Sequence, residues 1–134
     1  MKVAITGSSG LAKTIKDTLE ATPFKGDTIE VHTPRMEDIT MNGMNWWGWA
    51  NVDVLINFAH DEFEQTKILQ YAHDSWVDKG NKYIINFSSR AAQPNISKGY
   101  LYSAAKASLN HLANNLQYNS DKKYKMTTLN LGLL

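Results

Sequence analysis

The 134-residue sequence contains no cysteine, which excludes disulfides, a thiolate nucleophile and cysteine-ligated metal. Neither sign of charge prevails: 14 Lys and Arg stand against 13 Asp and Glu, for a net charge of +1. That balance provides no electrostatic footprint for nucleic acid or an anionic membrane. No apolar run approaches the roughly 20 residues that cross a bilayer. The N-terminus, Met1-Lys2-Val3-Ala4-Ile5-Thr6-Gly7, enters a strand pattern directly, without the longer apolar region and cleavage site of a secretory leader. A cytoplasmic protein is expected, without a nucleic-acid or membrane partner. The histidines, His32, His60, His73 and His111, share no metal-ligand spacing, and no metal is expected. Repeats, low-complexity tracts and linkers are also lacking, so residues 1–134 are read as a single domain around one core.

What is present alternates between strand and helix. Val3–Thr6 reads as a short apolar strand, followed by a glycine turn and a helix from about Leu11 to Ala21. Pro23 and Gly26 end that helix, Thr28–His32 reads as a second strand, and Pro34 breaks it. A loop or short helix with Trp46, Trp47 and Trp49 follows. Val52–Asn57, Lys82–Ser88 and Met126–Leu131 read as further strands, separated by helices over Glu62–Asp78 and Tyr100–Tyr118. Alternation of this kind predicts an α/β fold: a Rossmann-like, doubly wound parallel sheet of about five strands with right-handed crossovers. Such sheets bind ligands at the carboxyl ends of their strands, where Gly7, Asn57 and Ser89 fall.

Tyr102-Ser103-Ala104-Ala105-Lys106 places a phenol and an ammonium at positions i and i+4, on one face of a helix. Ser89 ends the apolar run Tyr83-Ile84-Ile85-Asn86-Phe87, so a hydroxyl could join them above a strand end. Tyrosine is a poor acid or base near neutrality, with a pKa of about 10. A fixed cation nearby favours the phenolate and suits the pair to proton transfer. The serine would hold the oxygen that the tyrosine protonates or deprotonates. Taken alone, a Tyr-(x3)-Lys pair more often marks a solvated helix face than a site.

In Thr6-Gly7-Ser8-Ser9-Gly10-Leu11-Ala12, between the first strand and the first helix, Gly7 permits a tight turn and Gly10 lets backbone approach a diphosphate. The helix N-terminus beyond offers N–H groups and positive dipole. Gly7, Ser8, Ser9, Gly10 and Leu11 are therefore candidate cofactor-binding residues.

The spacing Ser89-(x12)-Tyr102-(x3)-Lys106 resembles the catalytic set of the short-chain dehydrogenase/reductase family. The glycine turn is similar to the family's TGxxGxxG form at Gly7 and Gly10, with Lys13 in place of the third glycine. Asp38-Ile39-Thr40 resembles the segment bordering adenine, and Asp53-Val54-Leu55-Ile56-Asn57-Phe58-Ala59-His60 resembles the strand end beside the adenosine ribose and nicotinamide, departing at Phe58 and His60. Asp38, Ile39, Asn57, Phe58 and Ala59 thus join Tyr102 and Lys106 as expected cofactor contacts. The resemblance implies an NAD(P)-dependent oxidoreductase moving a hydride between cofactor and a small carbonyl or alcohol, with Ser89, Tyr102 and Lys106 catalytic. It also implies an asparagine on the helix over Glu62–Asp78, which is absent; Glu62 lies nearest its position.

At the end of the second strand, His32-Thr33-Pro34-Arg35 offers no acid to accept ribose hydroxyls, whereas Arg35 could meet a 2′-phosphate with paired donors. NADP(H) is therefore favoured over NAD(H), with Lys13 a possible second cation. Leu131-Gly132 resembles the turn after the strand beyond the catalytic helix, so the family's C-terminal substrate-binding elements are expected to be lacking and the last strand to form an edge. The family's habit of pairing through its long helices implies a homodimer or homotetramer. Met41, Met44, Trp46, Trp47 and Trp49 are read as core or interface, or as a wall for adenine or an aromatic substrate. The alternative to an enzyme is a non-catalytic dinucleotide-binding sensor or assembly module on a degenerate scaffold.

Overall fold

A computed structural model describes residues 1–7, 10–89, 92 and 99–131. The elements run β1 (Lys2–Ile5), α1 (Leu11–Glu20), β2 (Glu30–His32), α2 (Met36–Asn42), a 3-10 turn (Gly43–Asn45), α3 (Gly48–Asn51), β3 (Val54–Asn57), α4 (Glu64–Trp76), β4 (Tyr83–Ser89), α5 (Tyr100–Asn119) and β5 (Lys125–Leu131). The five strands form one parallel sheet in the order β2-β1-β3-β4-β5. The chain steps from β1 to β2 on one side, then to β3, β4 and β5 on the other. The crevice where this direction reverses, at the carboxyl ends of β1 and β3, is where such sheets take ligands.

Successive strand residues face opposite sides of the sheet. On one side Ala4, Leu55 and Ile84 pack with Ile68, Leu69, Ala72 and Trp76 of α4 and with Leu109, Ala113 and Leu116 of α5. On the other, Val3, Ile5 and Ile56 pack with Ala12, Ile15 and Leu19 of α1. Burial on both faces is why β1 and β3 read as continuous apolar runs instead of alternating ones.

The elements follow the sequence reading with ends shifted by at most two residues: β3 starts at Val54 rather than Val52, and α4 runs Glu64–Trp76 rather than Glu62–Asp78. β2 starts at Glu30 rather than Thr28, following a tight turn in which Phe24 and Asp27 bond backbone to backbone across Lys25-Gly26 (2.7 and 3.0 Å). Asp38-Ile39-Thr40 lies on helix α2, with Glu37 and Asp38 placed favourably against the dipole in its first turn. β5 is an outer strand of the sheet, as expected, and Leu129 and Leu131 on it are exposed. Among the described residues no helix is long and apolar enough to cross a membrane.

The tryptophans mostly build core. Trp46, Trp49 and Trp76 are buried and meet edge to face, with ring centroids 4.8 Å apart for the first two and 5.5 Å for Trp49 and Trp76. Trp47, Met41 and Met44 remain exposed. A Cβ added at Gly48 would fall inside the indole of Trp46. Gly48→Ala is therefore expected to destabilise the fold by about 1–3 kcal/mol through overpacking, measured as a fall in the urea midpoint at unchanged slope. An unchanged midpoint would show that Trp46 moves aside freely.

Candidate functional site

The site grows from the carboxyl ends of β1 and β3. Buried Thr6 accepts hydrogen bonds from the Phe58 and Ala59 N–H groups (3.0 and 3.1 Å), tying the β1–α1 turn to the chain leaving β3. Gly7 has φ +99°, and a Cβ there would stand 3.5 Å from Ala59 and 3.6 Å from Ala12 and Phe58. Gly10, at φ +56°, has no atom of the described residues within 4 Å of the equivalent point. Gly10 also precedes α1, whose N-terminus has no side-chain cap. Two positive-φ glycines before uncapped N–H groups fit a diphosphate.

Ser8 and Ser9 lie outside the described residues. Leu11 is exposed at the start of α1. Lys13 turns to solvent and pairs with Asp17 at 2.7 Å. Ala12, buried one position earlier, provides the small residue that close helix–sheet packing needs. Phe58, just past the end of β3, meets Phe87 edge-on, ring centroids 5.0 Å apart.

Beyond β2 lies a cavity of about 390 Å³, lined by His32, Thr33, Pro34, Asp38, Asn42, Trp46 and Trp47. Trp47 forms its exposed wall and meets His32 edge-on at 5.3 Å. Ile39, expected as a cofactor contact, is fully buried in the core and does not line this cavity. Arg35 sits at the rim with its guanidinium 3.1 Å from Glu37 and 3.3 Å from Asp38. The hydrogen bond and charge of Asp38, reinforced by Glu37, push its pKa above the ordinary arginine range.

The centre of the site is a buried polar network between β3, β4, α4 and α5. Asn57 Nδ2 donates to the Gln65 carbonyl (3.0 Å) and to Asn86 Oδ1 (3.1 Å), across the Asn57–Asn86 register of β3 and β4. Its Oδ1 is buried with no hydrogen-bond partner among the described residues. Gln65 Nε2 donates to the carbonyls of Asn57 (2.8 Å) and Phe87 (2.7 Å). Lys106, only 4% exposed, donates to Gln65 Oε1 at 2.7 Å and to the Phe87 carbonyl at 3.3 Å. Burial pushes the Lys106 ammonium down to a pKa of about 8.

Above Lys106 lies the ring of Tyr102, its centroid 5.7 Å from Nζ, as the one-turn spacing on α5 requires. Tyr102 is 39% exposed and stacks edge-on with His60 at 4.5 Å. Burial, with help from the Lys106 charge and against the opposing pull of Asp61, holds the His60 pKa below the ordinary imidazole value. These two rings, with Glu62, Phe63 and Leu101, line a cavity of about 160 Å³. Ser89 ends its half-buried run on β4 two residues past the Phe87 carbonyl that Lys106 reaches. Tyr102, Lys106 and the end of β4 thus converge, while Arg35 and Asp38 stand apart at the far side of the crevice.

Gln65, Asn86 and Thr6 are residues the sequence reading passed over. Gln65, not Glu62, faces the lysine from α4. A signal for it was present: Gln65 shares the i, i+3, i+4, i+7 stripe with buried Ile68, Leu69 and Ala72, where a polar residue needs a reason.

The lysine makes stability depend on pH in a calculable direction. Between about pH 8 and 10 the unfolded chain still holds the Lys106 proton, since free lysine titrates near 10.4, while the folded chain releases it. The unfolded state then binds more protons, so stability is expected to rise by up to about 1.4 kcal/mol per pH unit across that window. Above about pH 10 the trend reverses, because burial of Tyr124 pushes its phenol up and keeps it neutral while the unfolded tyrosine ionises. Urea midpoints at pH 7.5, 8.5 and 9.5 check this, with Lys106→Met expected to flatten the rise. A midpoint falling steadily over that range would contradict it.

No family model matches the sequence, and no curated protein matches it. Solved structures do match in fold. Serine dehydrogenase from Escherichia coli superposes with a TM-score of 0.71 at 16% identity, covering 99% of this chain and 82% of that one. A gluconate 5-dehydrogenase from Burkholderia cenocepacia, in complex with NADP and tartrate, gives 0.73 at 14% identity over 98% of this chain and 70% of that one. A short-chain dehydrogenase/reductase from Saccharomyces cerevisiae gives 0.69 at 17% identity, over 99% and 70%. The chain has the Rossmann-like fold that these dehydrogenases share.

Proposed function

We propose that this chain, sharing the fold of the short-chain dehydrogenases/reductases, is a member of that family and an oxidoreductase acting between a nicotinamide dinucleotide and a small carbonyl or alcohol. The observation that carries this reading is a lysine ammonium buried at the carboxyl ends of β3 and β4, beneath Tyr102, with the neutral acceptors Gln65 Oε1 and Phe87 O. A buried lysine with a lowered pKa beside a cavity is a feature of chemistry more than of packing.

When bound, the dinucleotide supplies or accepts the hydride. The cradle of Gly7 and Gly10 and the N-terminus of α1 hold its diphosphate, and the cavity walled by Trp47 and Asp38 takes its adenosine end. Tyr102 gives a proton to the substrate oxygen in reduction and takes one in oxidation. Lys106 presents positive charge beneath that ring. Ser89 holds the substrate oxygen in place. His60, stacked on Tyr102, closes one wall of the small substrate cavity.

Preference for NADP(H) rests on Arg35. Its ion pairs with Glu37 and Asp38 are exposed, and such pairs contribute only about 0–1 kcal/mol, so a 2′-phosphate can displace them. Arg35→Gln is expected to weaken NADPH binding by about tenfold or more, the scale of one charge-assisted contact, and to leave NADH binding unchanged. Calorimetric titration of both cofactors measures it, and equal losses would remove the assignment. Two copies pairing through α4 and α5 complete the reading, with light scattering as its check.

The function itself is tested by following consumption of reduced dinucleotide against a panel of small aldehydes and ketones. Turnover with any of them supports the enzyme. Tight binding without turnover across the panel favours a dinucleotide-binding module.

A further inference from the structure

We propose that Gln65 is the positioning residue of Lys106: its side-chain amide fixes the ammonium beneath Tyr102 and couples it to the ends of β3 and β4. The inference rests on the reading of Tyr102 and Lys106 as the proton-transferring pair.

The geometry leaves the amide one orientation. Gln65 is 2% exposed, and its Nε2 donates to two backbone carbonyls, Asn57 at 2.8 Å and Phe87 at 2.7 Å. Turning the amide over would set Oε1 against both carbonyl oxygens and NH₂ against an ammonium, making every contact repulsive. Oε1 must therefore face Lys106, which it accepts at 2.7 Å. The Phe87 carbonyl receives both Gln65 Nε2 and Lys106 Nζ, closing a ring of three hydrogen bonds. Because β3 ends at Asn57 while β4 continues to Ser89, the Gln65 amide bridges the step between the two strand ends.

The choice of a neutral acceptor matters. A carboxylate at this place would hold the lysine proton far more firmly and would meet two carbonyl oxygens with no proton to offer. An aliphatic residue would leave the ammonium one acceptor fewer in a buried site. Among the described residues, the titratable groups facing Lys106 are Tyr102 from its own helix and His60 from the loop after β3; α4 and β4 present it with the Gln65 amide and the Phe87 carbonyl. With a neutral amide the ammonium stays poised, lowered by burial to about 8.

The test reads the lysine directly, without a substrate. Full-length protein carrying 13Cε-labelled lysine is titrated by NMR in the wild type, Gln65→Leu and Gln65→Glu, with Lys106→Met assigning the signal. The Lys106 titration is expected to move down by about one pH unit or more in Gln65→Leu and up by a similar amount in Gln65→Glu. Opposite shifts cannot come from a shared loss of folding, and circular dichroism at 20 °C confirms that each variant is folded. A Lys106 signal unmoved in both, or moved the same way in both, would overturn the clamp. A wild type that turns over nothing in the carbonyl panel would instead defeat the enzyme reading while the lysine shifts still judge Gln65.

Discussion

Replacement of Tyr102 by phenylalanine is expected to lower turnover by about 10²–10⁴-fold, the usual contribution of a positioned acid or base, while dinucleotide affinity scarcely changes. The substitution removes one hydroxyl and keeps the ring. The ring makes the described contacts: edge-on packing with His60 at 4.5 Å and the face toward Lys106 Nζ at 5.7 Å. Neither depends on the oxygen, so the cavity wall and the lysine beneath it remain in place. Steady-state rates with the best carbonyl of the panel, alongside calorimetric titration with NADPH, separate the two effects. Undiminished turnover would remove Tyr102 from the chemistry, and a parallel loss of binding would make it a cofactor contact only.

The second large effect concerns stability. Trp76→Ala is expected to cost about 3–5 kcal/mol, a large share of the roughly 5–15 kcal/mol that holds a domain of ordinary size. Trp76 is fully buried, stacks edge-on with Trp49 at 5.5 Å, and donates its indole N–H to the Trp49 carbonyl at 2.8 Å. Lys82 Nζ lies 5.4 Å from its ring centroid. Truncation opens a cavity, strips the Trp49 carbonyl of its donor and removes the aromatic face from a mostly buried lysine. The residue ends α4, at the opposite end from Gln65. Whatever fraction remains folded should therefore bind dinucleotide as the wild type does. Chemical denaturation measures the first claim and titration at low temperature the second; a loss below 1 kcal/mol would mean that the tryptophan cluster collapses to fill the gap.

That separation also explains how much could be read from residues alone. Strands buried on both faces leave apolar runs, and the Val3-Ala4-Ile5 and Leu55-Ile56 runs announced themselves. The Tyr102–Lys106 pair was visible because helix geometry alone puts i and i+4 together. The turn at Gly7 and Gly10 was visible because positive φ leaves few other residues available. What stayed hidden depends on register and on distance along the chain. Asn57 and Asn86 meet only because β3 and β4 align Asn57 with Asn86 across 29 residues of sequence. Gln65 reaches Lys106 over 41 residues, through the packing of α4 on α5. The start of helix α2 was hard to read because Arg35, its N-cap, offers no side-chain cap. The third glycine of the expected turn was sought at Lys13, one position beyond Ala12, which meets the sheet.

Calorimetric titration of the wild-type protein with NADPH, and in parallel with NADH, tests the central claim most directly. Saturable binding, tighter for NADPH, is expected, because the cradle at Gly10 takes the diphosphate and Arg35 takes the 2′-phosphate. Absence of saturable binding by either would make the glycine turn a purely structural device and leave Lys106 and Tyr102 without the cofactor their chemistry requires.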